Sequence, residues 1–150
     1  MIDYEDWGDR PVPRIDPDSE PYWSAARDGK LAVQHCRECD NYQFYPRRLC
    51  RHCWSTDLEF ESVAGTGTVY ATTVCHIPGQ SGYDDDPPYT LALVDVDLPG
   101  GVENDSPMRM MTHIVDRPDE GVGIGTAVEV VFKPIGDDQS VYLPVFRPVE

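Results

Sequence analysis

The chain has 150 residues, 40% of them hydrophobic, which supports one domain or a small module beside one modest domain. Twelve Lys and Arg against 27 Asp and Glu give a formal net charge of −15, which opposes sequence-independent binding to nucleic-acid phosphates. No apolar run reaches the length of about 18 residues that spans a membrane, and the acidic start Met1-Ile2-Asp3-Tyr4-Glu5-Asp6 lacks a secretory signal's apolar stretch; a cytoplasmic location is the expectation.

Residues 1–19, with Pro11, Pro13, Pro17 and many acids, read as an extended arm that orders only against something else. A short helix follows. Ser19 suits its N-cap, Pro21 its first turn and Gly29 its C-terminal stop, while Tyr22, Trp23 and Ala26 fall on one apolar face. Lys30 to His35 alternates as a strand. Tyr42 to Arg48 reads as a second short strand ending at Pro46, and Leu58 to Val63 as a third.

Between these strands lie Cys36-Arg-Glu-Cys39 and Cys50-Arg-His-Cys53, with ten residues separating the pairs. Each Cys-x-x-Cys puts two thiolates on one tight turn, and two turns supply the four sulfurs of a closed tetrahedral structural zinc site. Strand, knuckle, strand, knuckle, strand is a zinc ribbon. Spacing alone also admits iron in a rubredoxin-like site. Redox disulfides are disfavoured because such a ribbon has little core of its own. A four-sulfur shell has no open position for water, so catalysis at the metal is not expected and His35 and His52 are not needed as ligands. Arg37, Arg51 and His52 sit where they offset the charge of four thiolates.

From Gly65 onward the pattern is all β. Five strands are expected: Gly67 to Ile77, Tyr89 to Asp97, Met108 to Val115, Ala127 to Lys133 and Val141 to Arg147. Pro78 to Pro88, with Asp84-Asp85-Asp86, and Leu98 to Pro107 are loops. The first strand is long enough to bend around Gly65 and Gly67, which fits a small OB-type barrel. The fold class is mainly β, divided into an arm (1–19), a helix and zinc ribbon (20–63) and a barrel with a C-terminal tail (64–150). Residues 61–150 hold four of the 12 basic and 15 of the 27 acidic residues, so the barrel half carries most of the negative charge.

The N-terminal helix, the four-cysteine ribbon, Gly65-Thr66-Gly67-Thr68-Val69-Tyr70 and the ending Leu143-Pro144-Val145-Phe146-Arg147-Pro148 occur in an order that resembles one family. It is the zinc-ribbon plus OB-fold family once catalogued as domain of unknown function thirty-five, and the resemblance spans roughly residues 20–148. It implies an accessory role. Members pair with thiolase-like enzymes, including ketoacyl-CoA thiolases, hydroxymethylglutaryl-CoA synthase assemblies and retro-aldolases on steroid side-chain CoA esters, and others pair with MaoC-type hydratases. The partner carries the catalytic residues, in a hetero-oligomer whose interface can touch acyl-CoA.

Cys75 beside His76 points to the opposite face of a strand, so a nucleophilic pair is disfavoured and a core cysteine expected. The glycines at 65, 67, 121, 123 and 125 lack a following Gly-Lys-Ser/Thr and read as bends rather than a phosphate loop. His113, near Met110 and Met111, has no carboxylate partner at a convincing spacing and reads as structural. Asp95 and Asp97 read as a solvated edge. Phe44, Tyr45, Trp54, Arg47 and Arg48 crowd a ribbon too small to bury them, which points to partner docking, with Tyr22 and Trp23 as possible contributors and a CoA phosphate as another destination for Arg47 or Arg48. No catalytic residue is identified in this chain. The rival readings are a single-stranded nucleic-acid binder, opposed by the charge, and a self-sufficient hydrolase or lyase.

Overall fold

The computed structural model describes residues 10–77, 88–101, 107–118, 121–136, 138 and 140–149. The first nine residues of the expected arm and the Asp84-Asp85-Asp86 loop lie outside them. One helix, α1 (Glu20–Arg27), precedes a three-stranded antiparallel sheet of β1 (Leu31–Cys36), β2 (Tyr42–Gln43) and β3 (Leu58–Val63), in the order β2-β1-β3. The second expected ribbon strand is much shorter than its apolar run suggested. Only Tyr42 and Gln43 pair, because beyond them the backbone turns to satisfy other partners described below. No helix among the described residues is long and apolar enough to cross a membrane.

Ser19 stands at the N-cap of α1 and Pro21 in its first turn, but the Ser19 side chain makes no cap bond to the helix and closes a turn with Asp16 instead. Ser19 N donates to Asp16 Oδ1 (2.8 Å), Asp16 N donates to Ser19 Oγ (3.2 Å), and Glu20 N donates to Asp16 O (2.9 Å). This reciprocal bonding puts Pro17, which has no N–H to lose, in the turn that leads into α1. The Ser19 backbone N–H holds the Asp16 carboxyl below its usual range. Part of the arm also orders on this chain's own barrel. Arg10 is 4% exposed, and Val12 lies against Gly136.

The remaining strands are β4 (Thr66–Cys75), β5 (Tyr89–Val96), β6 (Arg109–Ile114), β7 (Ala127–Ile135) and β8 (Val141–Pro148). They close in the order β4-β5-β6-β8-β7, the topology of an OB fold. Closure is completed by a short parallel seam in which Ile114 pairs with Phe146 and Val115 N donates to Phe146 O (2.9 Å). Inward alternation places Val69, Val94, Met110, Ile114, Val128 and Phe146 in the barrel core. Leu31, Val33, Tyr22 and Tyr42 from helix and ribbon belong to the same cluster, so the two modules share one continuous core.

The two glycines before and within β4 are fixed by close approach. Gly65 has φ +82°, and a Cβ there would meet the Val130 side chain. A Cβ on Gly67 would lie 2.6 Å from Asp95 O and 2.7 Å from Val94 Cγ1. Gly67 pairs with both Val96 and Val128, so the backbone cannot give without disturbing β5 or β7. Gly67→Ala is expected to lower stability by about 1–3 kcal/mol in urea unfolding. An unchanged midpoint would contradict this packing.

Candidate metal centre and docking tip

The two knuckles are built alike. Cys36 N donates to Asn41 O (2.9 Å) and Asp40 N to Cys36 O (2.9 Å); Cys50 N donates to Ser55 O (2.8 Å) and Trp54 N to Cys50 O (2.9 Å). Asp40 (φ 61°) and Trp54 (φ 67°) occupy equivalent left-handed positions. Both turns aim their thiols at one point. Cys36 and Cys53 sulfurs are 3.5 Å apart, Cys39 and Cys50 sulfurs 3.6 Å, and all four lie within 4.8 Å of one another. A tetrahedral zinc with bonds of about 2.3 Å separates its sulfurs by about 3.8 Å, so the donor set fits.

The thiols also resist ionising together. Burial raises the Cys39 thiol, but Asn41 N–H donors and neighbouring sulfurs outweigh it and bring it down to about 7. The Ser55 N–H lowers Cys53, yet desolvation and the three other sulfurs push it up to about 12. A divalent cation at the centre removes this conflict. Cys36 and Cys50 are buried, Cys39 is half-buried and Cys53 is exposed.

Two buried amides fix the second knuckle to the first strand. Gln34 and Gln43 are 4% and 2% exposed. Gln34 Oε1 accepts from Gln43 Nε2 (2.7 Å) and Arg47 N (2.8 Å), while Gln34 Nε2 donates to Arg47 O (2.8 Å). Gln43 Nε2 also donates to Leu49 O (3.2 Å), and Gln43 Oε1 accepts from Arg51 N (2.9 Å). The loop from Arg47 to Arg51 therefore takes its backbone partners from side chains rather than from a strand, which is why β2 stops at Gln43. Sequence reasoning passed over both glutamines; their signal was a polar residue in an otherwise apolar strand, Gln34 between Val33 and His35.

Exposed apolar side chains lie within and on either side of this loop in sequence. Trp54 is 77% exposed, Tyr45 57% and Leu49 42%, with Arg47, Arg48 and Arg51 beside them in sequence. Arg48 also meets Asp18 (3.3 Å). Tyr22, expected as a possible contributor, is instead buried, with its hydroxyl pKa raised by desolvation. It starts a run of packed rings in which Trp23 (4.9 Å) and Phe44 (5.4 Å) flank it and Tyr45 lies tilted against Phe44 (4.4 Å).

His113 is buried and stacked near Tyr89 (5.3 Å); burial, then Arg10 and Arg117, lowers its pKa to about 4. Cys75 is half-buried at the end of β4 rather than in the core, and His76 is exposed. Asp95 and Asp97 are not merely solvated. Arg109 Nε donates to Asp95 Oδ1 (2.6 Å) while its guanidinium covers the Tyr70 ring at 3.5 Å, and Thr66 Oγ1 donates to Asp97 Oδ2 (2.7 Å). His35 and His52 lie outside the sulfur cluster. His35 instead contacts Glu59 and Glu61, which with Arg37 and Tyr42 form a polar group on the ribbon sheet.

A four-cysteine ribbon whose core runs into a five-stranded OB barrel defines a zinc-ribbon plus OB-fold protein. The family model for the rubredoxin-like zinc ribbon domain of ChsH2 matches residues 23–59, and that for the C-terminal OB-fold domain of ChsH2 matches residues 61–133. A DUF35 domain-containing scaffold protein of Methanocaldococcus jannaschii is 31% identical over 120 residues, covering 77% of this chain and 79% of that protein. A probable enoyl-CoA hydratase alpha subunit of Thermomonospora curvata is 34% identical over 139 residues, 93% of this chain. The chain spans only 40% of that relative's length. Among solved structures, the Ltp2-ChsH2(DUF35) aldolase is 31% identical, with a TM-score of 0.72 over 91% of this chain and 98% of that one. The chain belongs to the DUF35 family, as its sequence motifs implied.

Proposed function

We propose that this chain is a non-catalytic accessory subunit of a cytoplasmic acyl-CoA enzyme complex, docked to a thiolase-like enzyme that acts as a thiolase or retro-aldolase on CoA esters. The observation that carries this reading is the likeness to the aldolase component, which extends over nearly the whole of that chain. Cys36, Cys39, Cys50 and Cys53 hold a structural zinc ion, with no role in chemistry. The division into arm (1–19), ribbon (20–63) and barrel (64–150) is retained, with the ribbon tip as the principal docking surface. Trp54 supports this. It is bulky, holds a left-handed backbone and stays exposed, a combination that folding alone does not favour. Aromatic and arginine side chains on a rigid turn are what a protein interface uses at its centre. The −15 charge disfavours nucleic acid as partner.

A second reading is favoured by the Thermomonospora relative: a MaoC-type enoyl-CoA hydratase as the partner. Purification of the tagged chain from its native host, followed by mass spectrometry and assay of the recovered complex, separates the two. Recovery of a thiolase-fold subunit supports the first reading and of a hydratase subunit the second. Recovery of neither, or acyl-CoA turnover by the isolated chain, overturns both. Trp54→Ala is expected to weaken the complex by about 30-fold or more, the loss of a central aromatic, while zinc content stays unchanged. Equal affinity of the two proteins in titration calorimetry would remove the tip from the interface.

A further inference from the structure

We propose that His35, Glu59 and Glu61 form a second divalent-cation site, on the sheet face opposite the thiolate centre. The sheet presets the three side chains. His35 pairs directly with Glu59 across β1 and β3, and Glu61 follows two residues on, so all three share one face. Cys36, next to His35 in β1, points to the other face. His35 Nδ1 lies 3.0 Å from Glu59 Oε1 and 3.8 Å from Glu61 Oε2, and the three ligand atoms lie within 4.8 Å of one another.

Each ligand also has its own orienting partner, the arrangement that metal sites build around their ligands. Arg37 holds the other oxygen of Glu59 (3.0 Å) while its second amino group meets Asp57 (3.0 Å). Tyr42 donates its hydroxyl to Glu61 Oε2 (3.0 Å), and its ring lies tilted against the imidazole (4.7 Å). Asp40 Oδ1 lies 3.4 Å from His35 Nε2. His35 Nδ1 faces two carboxylate oxygens, the nearer at hydrogen-bond distance, and a bound cation would take the place of that hydrogen bond. The side chains of His35, Glu59 and Glu61 are 15%, 36% and 39% exposed, which leaves water free to complete the coordination. One imidazole nitrogen and two carboxylate oxygens suit a hard or borderline first-row divalent ion, a chemistry distinct from that of four thiolates. The ion would clip β1 to β3 beside the first knuckle.

Mn²⁺ is the probe, because it binds carboxylate and imidazole but competes poorly for thiolates. Zinc-loaded protein is titrated with Mn²⁺ while the free-ion signal is followed by electron paramagnetic resonance. The expected result is one Mn²⁺ per chain with zinc content unchanged. Glu61→Gln, which keeps the shape and the Tyr42 contact, should weaken binding by about tenfold or more, and His35→Ala should abolish it. No uptake tighter than about 1 mM by the unaltered protein overturns the proposal, since the His35–Glu59 hydrogen bond then holds the cluster by itself. Equal uptake by the unaltered protein, Glu61→Gln and His35→Ala also overturns it, since the ions are then held diffusely by the acidic surface.

Discussion

Cys36→Ser is expected to take the zinc content from one ion per chain to none and to lower Tm by on the order of 10 °C or more. Cys36 is buried at the end of β1, and its sulfur is one of four that can neutralise their mutual repulsion only around a cation. Structural zinc contributes folding free energy directly, and for a chain of this size each kcal/mol moves Tm by about 2–4 °C. From sequence the barrel would persist after such a loss, because residues 64–150 read as a separate unit. The shared core alters that expectation. Leu31, Val33 and Tyr42 pack in one cluster with Val69, Val94 and Phe146, so loosening the ribbon uncovers the barrel's own interior. Tryptophan fluorescence and far-ultraviolet circular dichroism should therefore record one lowered transition. Two separate transitions would show that the ribbon folds as its own unit, and an unchanged metal content would reject Cys36 as a ligand.

What was legible in the sequence was what repeats locally. The four cysteines declare themselves through a spacing that one turn imposes, and the five barrel strands through alternation that one buried face imposes. Their observed limits differ from the sequence reading by only a residue or two at most ends, as β5 (Tyr89–Val96) and β8 (Val141–Pro148) show. Contacts between residues distant in sequence were not legible. His35 and Glu59 are 24 positions apart and meet only because β3 returns beside β1; Asp95 and Arg109 meet only because β6 lies against β5. The helix N-terminus was legible in its position but not in its bonding. Ser19 holds the N-cap position, but its hydroxyl accepts from the Asp16 N–H in the preceding turn rather than from the helix. Trp54 was flagged only for composition; its left-handed backbone follows from its place as the fourth residue after Cys50, the place Asp40 holds after Cys36.

Gln43→Leu is the substitution expected to matter most outside the cysteines. The leucine would fill much of the volume but strand Leu49 O and Arg51 N, and leave Gln34 Oε1 with Arg47 N alone. Each buried or half-buried polar group left without a partner costs about 1–3 kcal/mol, so a total near 3 kcal/mol and a fall in Tm of about 10 °C are expected. The effect should also reach the metal. Arg51 directly follows Cys50, so a loosened Arg47–Arg51 backbone holds the second pair of thiols less well, and zinc transfer to a chromogenic chelator should speed up by about tenfold or more. Gln34→Leu should act similarly by releasing Arg47 N and O. The double variant separates a coupled latch from two independent hydrogen-bonding residues. If the amides act as one unit, each single change already strands the other's amide, and the pair should cost less than the sum by more than about 0.5 kcal/mol. Additivity within that margin would mean that the Gln34–Gln43 contact contributes nothing of its own, and that the second knuckle is positioned by the metal and by its own turn.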